Sequence, residues 1–350
     1  MIKKLLQRLL KFAAYTAATI VILLAIAVGL FRMFLPRLPE YQEDIKAWAS
    51  TAIGMEVQFS GMDARWGLSG PEVEFYDAEL FSPESGAPIV AARTVGVGIA
   101  LSRIINDRKA VVDRIIVRDS TLEVRQLEDG QWWIQGSPPN ELLPARPRSE
   151  GDGQIGRINV IGENLTVELL QPGDTTPRVF DIPQLLISRD SVRTAVDATV
   201  ELPGDLGDKL IVSATQLVPI GDETQGWDVD IEVEDVELAG VSTLHTAEEA
   251  QFESGSADVR LSISIDESRI SSATADIDID EISIDASPSF SLEGRFELLN
   301  DSDGWLVAAD GFRLETQNGA WPLSDLLVEA GTNEEGQIAT LDVRASYLKV

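Results

Sequence analysis

The chain opens on one long apolar block and then alternates. Phe12 to Phe31 is a run of twenty residues without a charge. A helix of that length rises about 30 Å, the hydrocarbon thickness of a bilayer. Lys3, Lys4, Arg8 and Lys11 precede the run, Arg32 and Arg37 follow it, and Glu40, Glu43 and Asp44 come next. The heavier basic flank predicts a cytoplasmic N-terminus and a chain whose bulk lies across the membrane. A transmembrane anchor is therefore expected over 12–35, with Phe12, Ile20, Leu24 and Phe31 among its residues. Ala25-Ile26-Ala27 offers a competing reading as a signal-peptide cleavage site. The apolar run continues beyond it and is longer than a usual signal core. A soluble core helix fits poorly, because one stripe of such a helix should be polar.

Pro36 and Pro39 end the run. The segment 40–53 then reads as a short amphipathic helix, with Tyr41, Ile45, Trp48 and Ala52 at helical spacing and Gly54 as its stop. After that the period falls to two. Met55 to Phe59 alternates, as do Glu72 to Phe75. Ile89 to Ala100 is an apolar strand in which Gly96 and Gly98 suggest a close approach or a bulge. Val111 to Val117 and Thr121 to Leu127 look like paired strands around Arg118-Asp119-Ser120. Asp129-Gly130 is a hairpin signal before Gln131 to Ile134. Four prolines fall within 137–154, which predicts a linker or long loop.

From Trp227 the alternation is most regular. Val229, Ile231 and Val233 point one way, and Asp228, Asp230, Glu232 and Glu234 the other. Val259, Leu261, Ile263 and Ile265 repeat the pattern, as do Ile277 and Ile279 between Asp276, Asp278 and Asp280. Phe290, Leu292, Gly294, Phe296 and Leu298 follow. Successive strand side chains face opposite sides, so each segment has one apolar and one wet face. The consecutive acids Asp280-Glu281 predict a bulge between Ile279 and Ile282. A strand every ten to twenty residues suggests a long antiparallel meander. Alternation alone leaves two fates for the aliphatic face: the core of a closed sandwich, the commoner outcome, or a trough open along one side.

Composition narrows the function. Of 350 residues, 58 are acidic and 28 basic, for a net charge of -30, of which about -26 falls in residues 201–350. Such a surface repels phosphate backbones, which argues against nucleic-acid binding. With no Cys there are no disulfides, thiol nucleophiles or zinc ribbons. His245 is the single histidine and has no companion for a triad. Asp276 to Glu281 has the acids of half a calcium loop, but a calcium loop needs a turn glycine and converging carboxylates. Acids alternating with Ile line a solvated face instead. Gly96-Val97-Gly98 lacks the third glycine of a dinucleotide fingerprint, and no phosphate loop or nucleophile elbow is present. Asn164-Leu165-Thr166 is a glycosylation sequon by pattern only, and Trp132-Trp133 reads as a strand end on the core, with an interface feature as the alternative. No catalytic residue, metal site or cofactor is expected, and the chain is not predicted to be an enzyme.

These residues, in this order, resemble the AsmA-like family of bacterial envelope proteins, YhdP type. The likeness rests on the basic start and anchor, Leu35-Pro36-Arg37-Leu38, Ala52 to Val57, Ala64-Arg65-Trp66, and Gly70-Pro71. It continues through Arg114 to Val117, Leu122 to Arg125 and Asp129 to Trp132, and on to Asp303-Gly304-Trp305 and Gly319 to Pro322. The family is similar to the eukaryotic bridge-like lipid carriers related to chorein. The resemblance implies a mainly β fold: a transmembrane helix, then a long, twisted, curled antiparallel sheet, groove-like with an apolar interior, and a few short helices. It implies a cytoplasmic tail at 1–11, the anchor at 12–35, an N-terminal β region at 36–136, the linker, and an extended groove region at 155–350. Members of this type are longer, so the likeness implies an N-terminal piece or a short relative. It also implies a protein of the bacterial inner membrane with its bulk in the periplasm, moving phospholipid toward the outer membrane. Its partners would be phospholipids, the inner membrane, and outer-membrane or periplasmic envelope proteins. The expected groove lining is Val229, Ile231, Val233, Val259, Leu261, Ile263, Ile265, Ile277, Ile279, Phe290, Leu292 and Phe296. Two other functions fit the composition: a scaffold that assists outer-membrane assembly or envelope integrity without carrying lipid, and an envelope hydrolase, which the missing nucleophile motifs disfavour.

Overall fold

The computed structural model describes residues 41–53, 56–67, 70–81, 88–99, 112–127, 130–136, 138, 158–190, 192–217, 226–243, 252–266, 269–285, 287–300, 304–332 and 338–347, with isolated positions 19, 22, 25, 26 and 29. The expected anchor residues Phe12, Ile20, Leu24 and Phe31, the stop Gly54, His245 and nearly all of the 137–154 linker lie outside these. Among the described residues no helix is long and apolar enough to cross a membrane. The chain divides into two compact units, Met1–Val112 and Asp113–Val350.

The first unit contains helix α1 (Gln42–Ile53) and strands β1 (Glu56–Gln58), β2 (Gly61–Gly67), β3 (Gly70–Phe81) and β4 (Pro88–Ile99). Strand β3 is central. It pairs antiparallel with β2 along one half, with β1 at its far end, and with β4 on the other side. Glu43 and Asp44 in the first turn of α1 complement its positive N-terminal end. The helix meets the strands through residues one turn apart. Gln42 Nε2 donates to the Phe59 carbonyl at 3.3 Å, Lys46 Nζ lies 5.1 Å from the Phe59 ring centre, and Ser50 Oγ accepts from Val57 N–H at 2.9 Å. Tyr41, placed by its spacing on the inner stripe, is exposed instead. Phe59 is buried against Phe75, ring centres 4.8 Å apart. Gly96 and Gly98 stand opposite Glu74 and Glu72 in unbroken register, so no bulge lies at them. Glu72 is only 4% exposed, and Arg65 neutralises it at 2.8 Å while reaching Glu74 at 3.0 Å.

The second unit is a mixed sheet. Its strands are β5 (Val112–Gln126), β6 (Trp132–Ile134), β7 (Ile158–Leu170), β8 (Arg178–Arg189), β9 (Arg193–Glu201), β10 (Lys209–Leu217), β11 (Gly226–Glu237), β12 (Phe252–Asp266), β13 (Arg269–Ile284), β14 (Phe290–Asn300), β15 (Gly304–Thr316), β16 (Gly319–Ala320), β17 (Ser324–Thr332) and β18 (Ile338–Ala345). A five-residue helix, α2 (Leu238–Ser242), joins β11 to β12. From β7 to β15 each strand pairs antiparallel with the next, and β17 pairs with β15 and then β18.

Two expectations need correction here. Val112 to Gln126 do not form the expected pair of strands. They form one strand, β5, which bends at Asp119, where φ is 51°. A short polar run with Asp looks like a turn in sequence, but both its flanks pair with the same neighbour. That neighbour is β7, and the pairing is parallel, from Arg114 opposite Asn159 to Arg125 opposite Leu170. The meander is therefore not wholly antiparallel. The expected hairpin at Asp129-Gly130 does form: β6 pairs antiparallel with β5, and Gly130 takes φ 80° while its N–H bonds the Leu127 carbonyl.

Bulges recur along the sheet in one pattern, in which two polar residues separate two residues of the apolar face. The expected bulge between Ile279 and Ile282 is present, with Glu281 at φ 51°. Equivalent shifts lie between Val233 and Val236, with Asp235 at φ 53°, and between Ala309 and Phe312, with Gly311 at φ 72°. One extra residue would flip every later side chain to the other face, so each bulge bends the strand and keeps the aliphatic side in phase. The N–H that each bulge frees finds a side chain on the following strand. Asp235 N–H donates to Asp258 Oδ1 at 2.8 Å, Glu281 N–H to Ser291 Oγ at 3.1 Å, and Gly311 N–H to Asp325 Oδ1 at 3.1 Å.

Candidate functional site

Residues directly opposite on paired strands share a face. By that rule the twelve expected lining residues come together on one side of β11 to β14. Val229 faces Ile263, Ile231 faces Leu261, and Val233 faces Val259. Val259 then faces Ile277, Ile279 faces Leu292, and Phe290 faces Ile282. Ile265 stands opposite Trp227, and Phe296 opposite Ala275.

The face extends well beyond these strands. Val117 on β5 lies opposite Gly162, which lies opposite Leu185, then Ala198, then Val212 and then Ile231. The same row continues through Leu261, Ala275, Phe296, Ala309 and Leu326 to Ala345 on β18. Twelve consecutive paired strands thus contribute one uncharged residue each. At about 4.8 Å between strands the row measures roughly 50 Å.

Its exposure distinguishes it from a sealed interior. Every one of the twelve expected lining residues is partly exposed, and none is buried. The buried apolar residues on this face sit beside bulges or are small: Leu165, Ala257, Ile282, Ala309 and Ala330. At the outer strand, Leu341 is 61% exposed and Val343 57%. In a closed sandwich two inner faces interdigitate and such positions lose nearly all their exposure.

The opposite face is acidic and organised in cross-strand rows. In one row the signs alternate: Glu232 opposes Arg260, Arg260 opposes Asp276, and Asp276 opposes Arg295. Arg260 Nε meets Glu232 Oε1 at 2.7 Å, and this bond raises the arginine's pKa further above its usual value. In the neighbouring row Asp258, Asp278 and Glu293 stand side by side before Arg313 closes the row with an ion pair to Glu293. Partial desolvation, then the charges of Asp280, Glu293 and Asp258, push the Asp278 carboxyl above the usual carboxylate range. A hollow of about 550 Å³ opens among these side chains, lined by Glu232, Glu234, Asp258, Arg260, Asp276, Asp278 and Glu293 with Val233, Val259, Ile277 and Gly294. Six carboxylates and a guanidinium on neighbouring strands of its wall keep it hydrated, so it is no place for an apolar ligand. Asp276, Asp278, Asp280 and Glu281 are exposed, as a solvated face requires. Among the described residues no group of acids or histidine converges as a metal site.

Two features escaped the sequence reading. The first is the use of bulges to hold the apolar face in phase from β5 to β17. Its signal was the pair of polar residues between apolar ones, as in Gly162-Glu163-Asn164-Leu165 and Ala309-Asp310-Gly311-Phe312. The second is Arg178, whose alternation with Phe180 and Ile182 puts it on the aliphatic side, opposite Leu169.

A comparison with the curated proteins finds no match. The model of the YhdP protein family matches residues 1–350, the whole of the chain. The order of motifs and the long β-sheet agree with that match, and the chain belongs to the YhdP family.

Proposed function

We propose that the second unit presents an open apolar β-face on which phospholipid acyl chains travel between the inner and outer membranes of a bacterial envelope. In this reading residues 12–35 anchor the chain in the inner membrane, residues 1–11 stay in the cytoplasm, and the rest lies in the periplasm. The observation that carries the proposal is the uncharged twelve-strand row from Val117 to Ala345, in which all but Gly162 and Ala309 keep some exposure where a core would be buried. Each methylene of a lipid tail gains about 0.8 kcal/mol on leaving water. Aliphatic contacts are non-directional and repeat at every strand, so a tail finds no deep well along the way. The acidic side keeps the sheet soluble and discourages edge pairing. No bond is made or broken, so no catalytic residue, metal or cofactor enters the proposal.

The test is lipid analysis of the full chain purified in a lipid-free detergent. Mass spectrometry should find phospholipid retained at a fixed ratio to protein. A chain that retains none, and takes up none when mixed with phospholipid micelles, would be an envelope scaffold and not a carrier.

A further inference from the structure

The aliphatic face of the second unit is uncharged between its two long margins. Of the described Lys and Arg on β5 to β18, only two take its register, and both are on β8. Arg178 begins that strand opposite Leu169, and Arg189 ends it opposite Ile158. The other ten point to the acidic side or lie in its register, as Arg260, Arg295 and Arg313 do among Asp276 and Glu293.

Arg178 differs from a surface ion pair. Its side chain is 22% exposed, and its nearest described carboxylate oxygen, Asp205 Oδ2, is 3.8 Å from Nη2. Nη2 donates instead to Thr243 Oγ1, whose own hydroxyl is committed to the Gly240 carbonyl at 2.6 Å. Nη1 is buried and has no hydrogen-bond partner among the described residues. A buried donor left unpaired in a native fold calls for an explanation. Around it the polar groups of the same face are neutral. Val124, Leu169 and Arg178 form one cross-strand row, and Gln126 and Gln171 stand one step further out on β5 and just past β7, their amides 3.5 Å apart. A guanidinium fork at the end of an aliphatic surface matches an oxyanion with several acceptor atoms.

We infer that Arg178 forms a headgroup site: it takes the phosphate of a lipid whose tails lie on the aliphatic row. The inference rests on the open-face reading above and adds to it a ligand class and a place. Elsewhere the chain's charge of -30 repels an anionic headgroup. Here the cation lies on the side that the carboxylate rows do not face. Lipids then enter or pause with their phosphate at this margin, and a neutral diacylglycerol of equal tail length gains nothing from it.

The experiment mixes the full chain, in maltoside detergent, with phosphatidylglycerol or with diacylglycerol of identical acyl chains, and quantifies bound lipid by native mass spectrometry. Arg178→Gln should cut phosphatidylglycerol retention about tenfold, the worth of one charge-assisted hydrogen bond, and leave diacylglycerol unchanged. Arg178→Lys should restore part of the loss, and Arg189→Gln should change neither lipid. Equal loss of both lipids in R178Q, or an equal effect from R189Q, would overturn the headgroup site and leave the open face standing. Retention of neither lipid by the unaltered chain would sink both readings. Inorganic phosphate that binds the lipid-free chain as tightly as phosphatidylglycerol does would make this a free-anion site and end the lipid assignment. If R178Q fails to fold, as circular dichroism would reveal, the preference of the unaltered chain for phosphatidylglycerol over diacylglycerol decides: no preference overturns the site.

Discussion

The two faces of the second unit are built from the same strands and the same registers, yet they solve opposite problems. On the aliphatic face, neighbours such as Ile231 and Leu261 touch without orientation, and nothing fixes where a ligand must stop. On the acidic face every neighbour matters. One row alternates in sign from Glu232 to Arg295, and the next brings Asp258, Asp278 and Glu293 together without a cation between them. The lesson is that a period-two sequence can separate a surface meant for shared, weak contacts from one meant for water. The cost of the second falls on a few carboxylates.

The largest effect should come from moving the chemistry of one face onto the other. Ile231→Asp together with Ile263→Asp places two carboxylates in the aliphatic rows, where under the proposed function each would face a lipid tail. Retained phospholipid should fall at least tenfold, since an unpaired charge on an apolar surface is far costlier than a lost methylene. Unchanged lipid content by mass spectrometry would mean that the face is not where lipid sits.

Next is the contrast between buried and open positions on the same side. Ile282 is buried and Ile263 is partly exposed. Ile282→Ala should cost about 2–4 kcal/mol in urea unfolding and Ile263→Ala about 1 kcal/mol, because only the first leaves a cavity. Equal costs would mean that Ile263 belongs to a closed core.

A smaller effect is expected at the bulges. Asp258→Ala removes the acceptor of the Asp235 N–H and should cost about 1 kcal/mol. Asp258→Asn keeps an acceptor oxygen and should cost less. Matched urea curves for the two variants would show that the bond contributes nothing.

The smallest effect concerns the crowded acids. Like charges directly across a strand pair are destabilising, so Asp278→Asn should raise stability at pH 7 by about 0.2–1 kcal/mol. Asp278 holds its proton more tightly folded than unfolded. Its contribution therefore improves as pH falls from its raised value toward the ordinary aspartate value, and is lost as pH rises back through the raised value. Unfolding curves of the two proteins should converge on acidification. A gap that widens toward low pH would contradict this assignment.

Much of this arrangement was legible in the sequence because a strand has a period of two. The shared face of the residues from Val229 to Phe296 could be read from alternation, and the bulge at Glu281 from two successive acids. The same cue misled at Arg118-Asp119-Ser120, where a bulge and a turn share a composition. Only the pairing of both flanks with β7 separates them, and that pairing is between residues about 45 positions apart. The parallel direction of β5 and β7 left no local trace. Whether the aliphatic side was covered depended on what lay opposite it, which alternation cannot state. Arg178 carries no signal of its own in the sequence, because it stands at a strand end beside a turn, where an arginine is ordinary.

Alternation has one ambiguity. Sliding a strand by one residue turns its oily side outward, but sliding it by two restores every side chain to its proper face at almost no chemical cost. In a sheet this wide, such slips could accumulate. The freed amides of Asp235, Glu281 and Gly311 resolve the ambiguity, because each meets its oxygen on Asp258, Ser291 or Asp325 at a single alignment. A shift by two strands that donor from its mate, so these irregularities act as alignment notches that the regular ladder between them could not supply.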